Sequence, residues 1–246
     1  MRLKLINKNT KNVYKHHSIN PNYDLSESKL DMLIKTKNTA LEEFTTTTAV
    51  RLDFGLPTKL QANPEDLYLL LSGDIQSAFN KFTNRLRRKK DSQGSTYQFL
   101  MNWKLEQSKS KGLHIHTVWY FDTAQIPTFN LKTKIYKLIK SLWLEQTNNH
   151  GLLKIITSST AKSQSSFSVQ GSDTQYFTLL TTDGDFLISL SEYHKQKNLN
   201  GMTSGWFRWI SYLGKDGDNL TNSNQVAIQC KKRMGTVTNL FSKPLP

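Results

Sequence analysis

The reading turns on Tyr97-Gln98-Phe99-Leu100-Met101-Asn102-Trp103-Lys104-Leu105-Glu106 and its return, Gly112-Leu113-His114-Ile115-His116-Thr117-Val118-Trp119-Tyr120-Phe121. In the first segment every odd-numbered residue is apolar. In the second, Ile115, Thr117, Trp119 and Phe121 alternate with His114, His116, Val118 and Tyr120. A period of two is that of a β-strand, whose successive side chains point to opposite faces. If the strands pair antiparallel with Glu106 opposite His114, the apolar odd-numbered residues lie on one face. Glu106, His114 and His116 then gather on the other. A one-residue slip would scramble this separation, so the pattern itself favours the register.

Two imidazoles side by side offer two ligands for a divalent cation, and Glu106 offers a third. This set leaves coordination positions for phosphate oxygens and water. It suits Mn²⁺ or Mg²⁺, with Mn²⁺ better matched to nitrogen. Each piece has a plainer reading: a His-x-His arises on strands by chance, and Glu106 can be a solvated hairpin residue. Their shared parity on adjacent strands favours the site. His16, His17, His150 and His194 lack such a setting and read as surface residues.

Upstream, residues 45–54 have strand composition and end at Gly55 and Pro57. Val50, Leu52 and Phe54 share one face, while Arg51 and Asp53 share the other, either supporting the site or forming a surface ion pair. Residues 1–24 are polar and basic and read as an irregular arm. A helix follows from Ser26 or Ser28 as N-cap through Leu41. This divides the chain into an arm and helix over 1–44 and one domain over 45–246.

Asn63-Pro64-Glu65 reads as a helix start, with a capping side chain, a proline and an acid in the first turn. Its apolar positions run from Leu67 through Leu70, Leu71, Ile75 and Phe79 to Phe82. It ends in Arg85-Leu86-Arg87-Arg88-Lys89-Lys90. Cations suit a helix C-terminus, but five within six residues exceed that need and point to contact with phosphates. Downstream, 131–145 reads as a helix and 152–156 and 176–180 as strands, the latter two separated by a polar loop over 158–174. Residues 186–193 are ambiguous. Residues 204–215 read as a helix with Trp206, Ile210 and Leu213 inward and Arg208, Tyr212 and Lys215 on a neighbouring stripe.

The chain has 246 residues, enough for a substantial core, and 33 Lys and Arg against 19 Asp and Glu, a formal charge of +14. Such an excess commonly serves a polyanion, with a merely basic soluble protein as the alternative. The single cysteine, Cys230, excludes an internal disulfide and a thiolate zinc cage. No apolar run follows the basic start and none approaches a membrane span, so a cytoplasmic location without membrane contact is expected.

Phosphodiester transfer needs a cation to hold the scissile phosphate and a nucleophile aligned with the leaving oxygen. Tyr212 is a candidate nucleophile. Its phenol starts from a pKa of about 10 and needs help to attack. Lys215, one helical turn on, can stabilise the developing charge. Taken alone, Tyr212 is as readily a core or rim aromatic. With the triad, it suggests cutting and rejoining of single-stranded DNA through a phosphotyrosine link. Exposed aromatics among basic residues would stack on unpaired bases.

Glu106, His114-Ile115-His116 and Tyr212-x-x-Lys215 resemble the histidine–hydrophobic–histidine endonucleases that initiate rolling-circle replication. More closely, Val50-Arg51-Leu52-Asp53, Trp103-x-x-Glu106, Gly112-Leu113-His114-Ile115-His116, Leu142-Trp143, Ser211-Tyr212-Leu213-Gly214-Lys215 and Arg233-Met234-Gly235-Thr236 resemble, in that order, the inovirus-type replication proteins. The resemblance covers about residues 45–240. It implies a ferredoxin-like antiparallel sheet with helices on one face and a metal site plus the tyrosine helix on the other. It also implies nicking of a replication origin to leave a 5′-phosphotyrosyl enzyme and a free 3′-hydroxyl. His114, His116 and Glu106 would bind metal, Tyr212 would attack with Lys215 as electrostatic aid, and Asp53 would support. There is no P-loop, so host helicase and polymerase would be partners. No second tyrosine lies within the 204–215 helix, and Tyr193 is the nearest.

Other chemistries fit less well. Phosphodiesterases with two His-x-Thr/Ser motifs need a second copy. Histidine-triad hydrolases need a histidine where Val118 stands, and a primase-like site needs paired strand carboxylates. The non-enzymatic alternative is an origin- or operator-binding protein whose histidines are structural.

Overall fold

A computed structural model describes residues 4–61, 74–108, 112–156, 176–181, 184–189, 206–215 and 234–240. In chain order the elements are β1 (Leu5–Ile6), β2 (Val13–Tyr14), β3 (His17–Ser18), β4 (Leu25–Ser26), α1 (Glu27–Glu43) and β5 (Thr47–Gly55). Next come α2 (Ile75–Arg87), β6 (Phe99–Ser108), β7 (Gly112–Asp122), α3 (Lys134–Gln146) and β8 (Leu152–Ile155). The last are β9 (Tyr176–Thr181), β10 (Gly184–Ser189), α4 (Trp206–Ile210) and β11 (Met234–Asn239), with 3₁₀ turns at Thr58–Gln61 and Ser211–Gly214.

The fold is α+β, as expected, around an antiparallel sheet. Its strand order is β10-β9-β5-β7-β6-β11. The outer edge of β5 is shared: β9 takes Thr47 to Ala49, and β8 takes Leu52 to Gly55. From β5 to β8 the chain runs strand, helix, strand, strand, helix, strand, with β7 inserted between β5 and β6. The hairpin has the register its parity demands, with Glu106 opposite His114 and Lys104 opposite His116. On the other side of β7, Asp53 faces His116 and Gly55 faces His114.

One face of the sheet is an aromatic core against α2 and α3. Phe54, Phe79, Phe82, Trp119 and Trp143 are fully buried within it, and Trp143 meets Phe54 edge-on at 5.4 Å. Each such side chain contributes about 1.5–3 kcal/mol on burial. Thr117 is its polar exception, donating to the Leu52 carbonyl at 2.8 Å and accepting from Trp119 Nε1 at 2.6 Å. The expected helix start at Asn63 lies outside the described residues. The described helix begins at Ile75 because Asp74 caps it, accepting from Ser77 N at 2.7 Å.

The opposite face carries one helix more than expected. The tyrosine segment lies there as expected; the addition is α1, and α1, α4 and the following 3₁₀ turn bury Leu30, Leu33, Trp206, Ile210 and Leu213 against Ala49, Leu100, Val118 and Tyr120. Nor are residues 4–24 an irregular arm. Ile6, Ile19 and Leu25 join that same core, β1 pairs with β4, and β2 with β3. The apolar residues are too sparse among the lysines and asparagines to show a period. They nonetheless suffice to seat the segment on a face already built by the sheet. Among the described residues, no helix is long and apolar enough to cross a membrane.

Candidate active site

The site lies on that second face, towards the ends of β6 and β5 and the start of β7. His114 Nε2 and His116 Nε2 are 3.1 Å apart, and His116 Nε2 is 3.1 Å from Glu106 Oε2. All three side chains are buried, and their ligand atoms lie within 4.8 Å of one another. The other ring nitrogens are taken: His116 Nδ1 lies 2.6 Å from Asp53 Oδ1, and His114 Nδ1 lies 2.8 Å from the Gly112 carbonyl. Those acceptors assign the protons to both Nδ1 atoms. Both Nε2 lone pairs and a carboxylate oxygen then converge on one space. Three acceptors cannot satisfy each other; a bound cation or an added proton can. Burial, then the nearness of His116, pushes His114 below the ordinary imidazole range, which favours its neutral, ligating form.

The donor set therefore fits a divalent metal, with Asp53 orienting a ligand rather than supplying one. Burial alone would raise the Glu106 pKa. The nearby His116 ring, the charge of Lys104 and the hydrogen bond donated by Tyr212 outweigh it and hold the carboxyl well below its usual range. Lys104 is fully buried, 2.9 Å from Glu106 Oε1, and Lys215 Nζ is 3.3 Å from the same oxygen.

Tyr212 closes the site. Its hydroxyl donates to Glu106 Oε2 at 2.7 Å and accepts from Lys215 Nζ at 3.2 Å. The helix expected over 204–215 is shorter: α4 stops at Ile210, and a 3₁₀ turn carries Tyr212, while 204 and 205 lie outside the described residues. In a 3₁₀ turn residues i and i+3 eclipse, which brings Lys215 over Tyr212. The turn is pressed against α1 so closely that a Cβ on Gly214 would lie 2.9 Å from Leu30 Cδ2. Burial, then the charge and hydrogen bond of Glu106, hold the Tyr212 phenol well above its ordinary pKa, opposed by Arg51.

Arg51 is buried, with its guanidinium carbon 5.0 Å from the Tyr212 ring centroid and 5.8 Å from that of Trp209. Thus Asp53, Arg51, Glu106, His114, His116, Tyr212 and Lys215 are brought together. Arg208 is half-buried on α4, one turn before Tyr212. The basic run is elsewhere, on α2 across the sheet. Arg85 pairs with Glu145, and Arg87 donates to the Thr238 carbonyl at 2.9 Å, while Arg88, Lys89 and Lys90 are exposed. Thr238 lies opposite Leu100, six residues along β6 from Glu106, roughly 20 Å at about 3.3 Å per residue.

Several contributors have weak sequence signals. Lys104 shares the parity of Glu106 and is legible from it. The N-terminal contacts are not: Tyr23 meets the Tyr212 ring edge-on at 5.2 Å, and Asn20 N donates to Ser211 Oγ at 2.9 Å. Lys29 Nζ and Lys104 Nζ both donate to the Lys215 carbonyl, at 3.2 and 3.0 Å. Tyr193, Cys230, His194 and Arg233 lie outside the described residues.

Residues 7–154 match the family model of the YagK/YfjJ C-terminal domain. The chain belongs to this family. The match runs from the N-terminal strands to β8, so it takes in Arg51, Asp53, Glu106, His114 and His116 and stops short of Tyr212 and Lys215. No curated protein and no solved structure matches the chain.

Proposed function

We propose that this member of the YagK/YfjJ C-terminal domain family nicks and rejoins single-stranded origin DNA through Tyr212. In this reading it initiates rolling-circle replication of a phage, satellite or plasmid in a bacterial cytoplasm. The observation that carries the reading is the 2.7 Å hydrogen bond from Tyr212 to Glu106, itself a member of the His114–His116–Glu106 cluster. A structural tyrosine has no need of a metal-type triad, and a structural metal site has no need of a tyrosine and a lysine at its open side. The charge of +14 supports a polyanionic substrate. The strand and helix succession from β5 to β8 supports the ferredoxin-like core that the inovirus-type resemblance implies.

His114, His116 and Glu106 would hold Mn²⁺ or Mg²⁺, which when bound supplies Lewis-acid polarisation of the scissile phosphate. The chain's own groups do the rest. Glu106 latches the phenol and fixes the direction in which its oxygen points. Lys215 at 3.2 Å and Arg51 beside the ring stabilise the phenolate. A bond forms between the Tyr212 oxygen and phosphorus as the bond from phosphorus to the 3′-oxygen breaks; the phenol proton passes to water, and the 3′-oxygen takes a proton from water and leaves as a 3′-hydroxyl. Rejoining is the reverse. Unwinding and extension would fall to host helicase and polymerase.

The test is incubation with labelled single-stranded origin DNA and Mn²⁺ or Mg²⁺, followed by denaturing gels. Wild type is expected to give a protease-sensitive covalent adduct that Tyr212→Phe and His114→Ala/His116→Ala do not. Origin binding by all three without adduct or cleavage would overturn the nicking reading in favour of a non-catalytic DNA-binding protein.

A further inference from the structure

Beside the triad, on the β8 side, the surface opens into a cavity of about 460 Å³. That falls within the roughly 300–1,000 Å³ typical of small-ligand pockets. Its walls include Gly55, Pro57 and Leu152, and it reaches Asp53 and His114. Leu152 is 53% exposed there, an unusual setting for a leucine on a strand one ladder from a buried catalytic-type cluster. Two exposed lysines, Lys59 and Lys154, and the exposed Thr58 also line it. An apolar slot flanked by two cations and ending at a candidate phosphate site is complementary to one unpaired nucleotide: an apolar base face in the slot and a charged backbone on the lysines.

Position decides which nucleotide. Tyr212 reaches the triad at Glu106, on β6. The cavity reaches it at His114 and Asp53, on β7 and β5, and continues to β8. In a phosphoryl transfer the attacking and leaving oxygens stand roughly in line across phosphorus. The leaving 3′-oxygen therefore points away from Tyr212, towards the cavity. We infer that this cavity is a specificity subsite that holds the base of the nucleotide on the 5′ side of the nick, the one that keeps the 3′-hydroxyl, with Lys59 and Lys154 on the adjoining phosphates. This inference rests on the nicking reading and adds to it the residues that select the cut site.

Gly55 makes the subsite testable. A Cβ there would lie 3.7 Å from His114 Cβ, an ordinary contact, so a side chain can be added and would grow into the cavity. Wild type, Gly55→Leu and Leu152→Asp would be incubated with a pool of single-stranded oligonucleotides randomised over 20 positions and Mn²⁺. The released 3′-hydroxyl fragments would then be sequenced. Wild type is expected to show a base preference at the 3′-terminal nucleotide of at least about tenfold, the low end of what apolar pocket contacts discriminate. Both variants are expected to flatten that preference while keeping those at other positions. Leu152 is exposed, so Leu152→Asp covers the case in which Gly55→Leu does not fold. Adducts whose terminal preference is unchanged in the folded variants would overturn the subsite and leave the nicking reading intact. No released fragment from wild type would overturn the nicking reading, and the subsite with it.

Discussion

The two faces of the sheet are built from the same three strands and have opposite characters. On β5, β6 and β7 one set of alternate residues makes a core of Phe54, Trp103, Trp119 and Phe121 against α2 and α3. The other set buries Arg51, Lys104, Glu106, His114 and His116. Apolar packing tolerates exchange of one large side chain for another of similar volume. A buried ionic cluster does not, because removing one partner leaves the others desolvated and unmatched. Stability would be served as well by apolar residues on both faces. On the second face apolar residues do pack under α1 and α4, but at one end they give way to charged and imidazole groups where a tyrosine hydroxyl and a lysine also converge, and the proposed chemistry belongs to that end.

If the faces divide labour in this way, substitutions should separate them. The largest effect is expected of Tyr212→Phe, which removes the nucleophile: adduct formation should fall by about a thousandfold or more. Its stability loss should be about 1.5–3 kcal/mol, the scale of hydrogen bonding to charged partners, here Glu106 and Lys215. Quantified gels beside denaturant titration check both halves, and a large unfolding effect would break the division. Trp143→Ala should do the reverse. It should cost about 3–5 kcal/mol in urea unfolding, because the cavity cannot collapse among Phe54, Phe79 and Phe82. Mn²⁺ affinity of the remaining folded protein should be unchanged.

Smaller effects sharpen the picture. Asp53 touches His116 and not the converging ligand atoms, so Asp53→Ala should weaken Mn²⁺ binding by about 10- to 100-fold in calorimetry without abolishing it. Complete loss would make Asp53 a ligand. Ser211→Ala removes the acceptor of the buried Asn20 N–H and should cost about 1–3 kcal/mol. No change would mean that residues 4–24 do not brace the tyrosine turn. The smallest effect is expected of Arg85→Ala, whose pairing with Glu145 is solvent-exposed: under about 1 kcal/mol.

How far the sequence carried this picture depended on the separation of the residues involved. The hairpin was legible because Glu106 and His114 lie within one turn of each other in the chain, and parity fixes their pairing. Asp53 and Arg51 were legible as a face, although their work was not. That Asp53 binds His116 Nδ1 while Arg51 lies under the Tyr212 ring follows from the β5–β7 register, which a lone strand does not encode. The N-terminal segment is not legible as part of the core, because its few apolar residues gain meaning only against the distant α4 and the tyrosine turn. The short α4 was missed for a related reason: 204–215 has helical spacing, and the tightening after Ile210 comes from packing under Leu30. The basic run on α2 was legible as charge, but its location across the sheet from the triad was not.

The central claim, that the triad and Tyr212 form one transesterification centre, is tested most directly by locating the covalent link. The adduct formed on single-stranded origin DNA with Mn²⁺ would be digested with nuclease and trypsin and analysed by mass spectrometry. Cleavage after Arg208 and Lys215 releases residues 209–215, in which Tyr212 is the only tyrosine. The neighbouring Tyr23 falls in the separate peptide 16–29. The account requires the nucleotide mass on residues 209–215. Its appearance on 16–29, on any other peptide, or on none would contradict it.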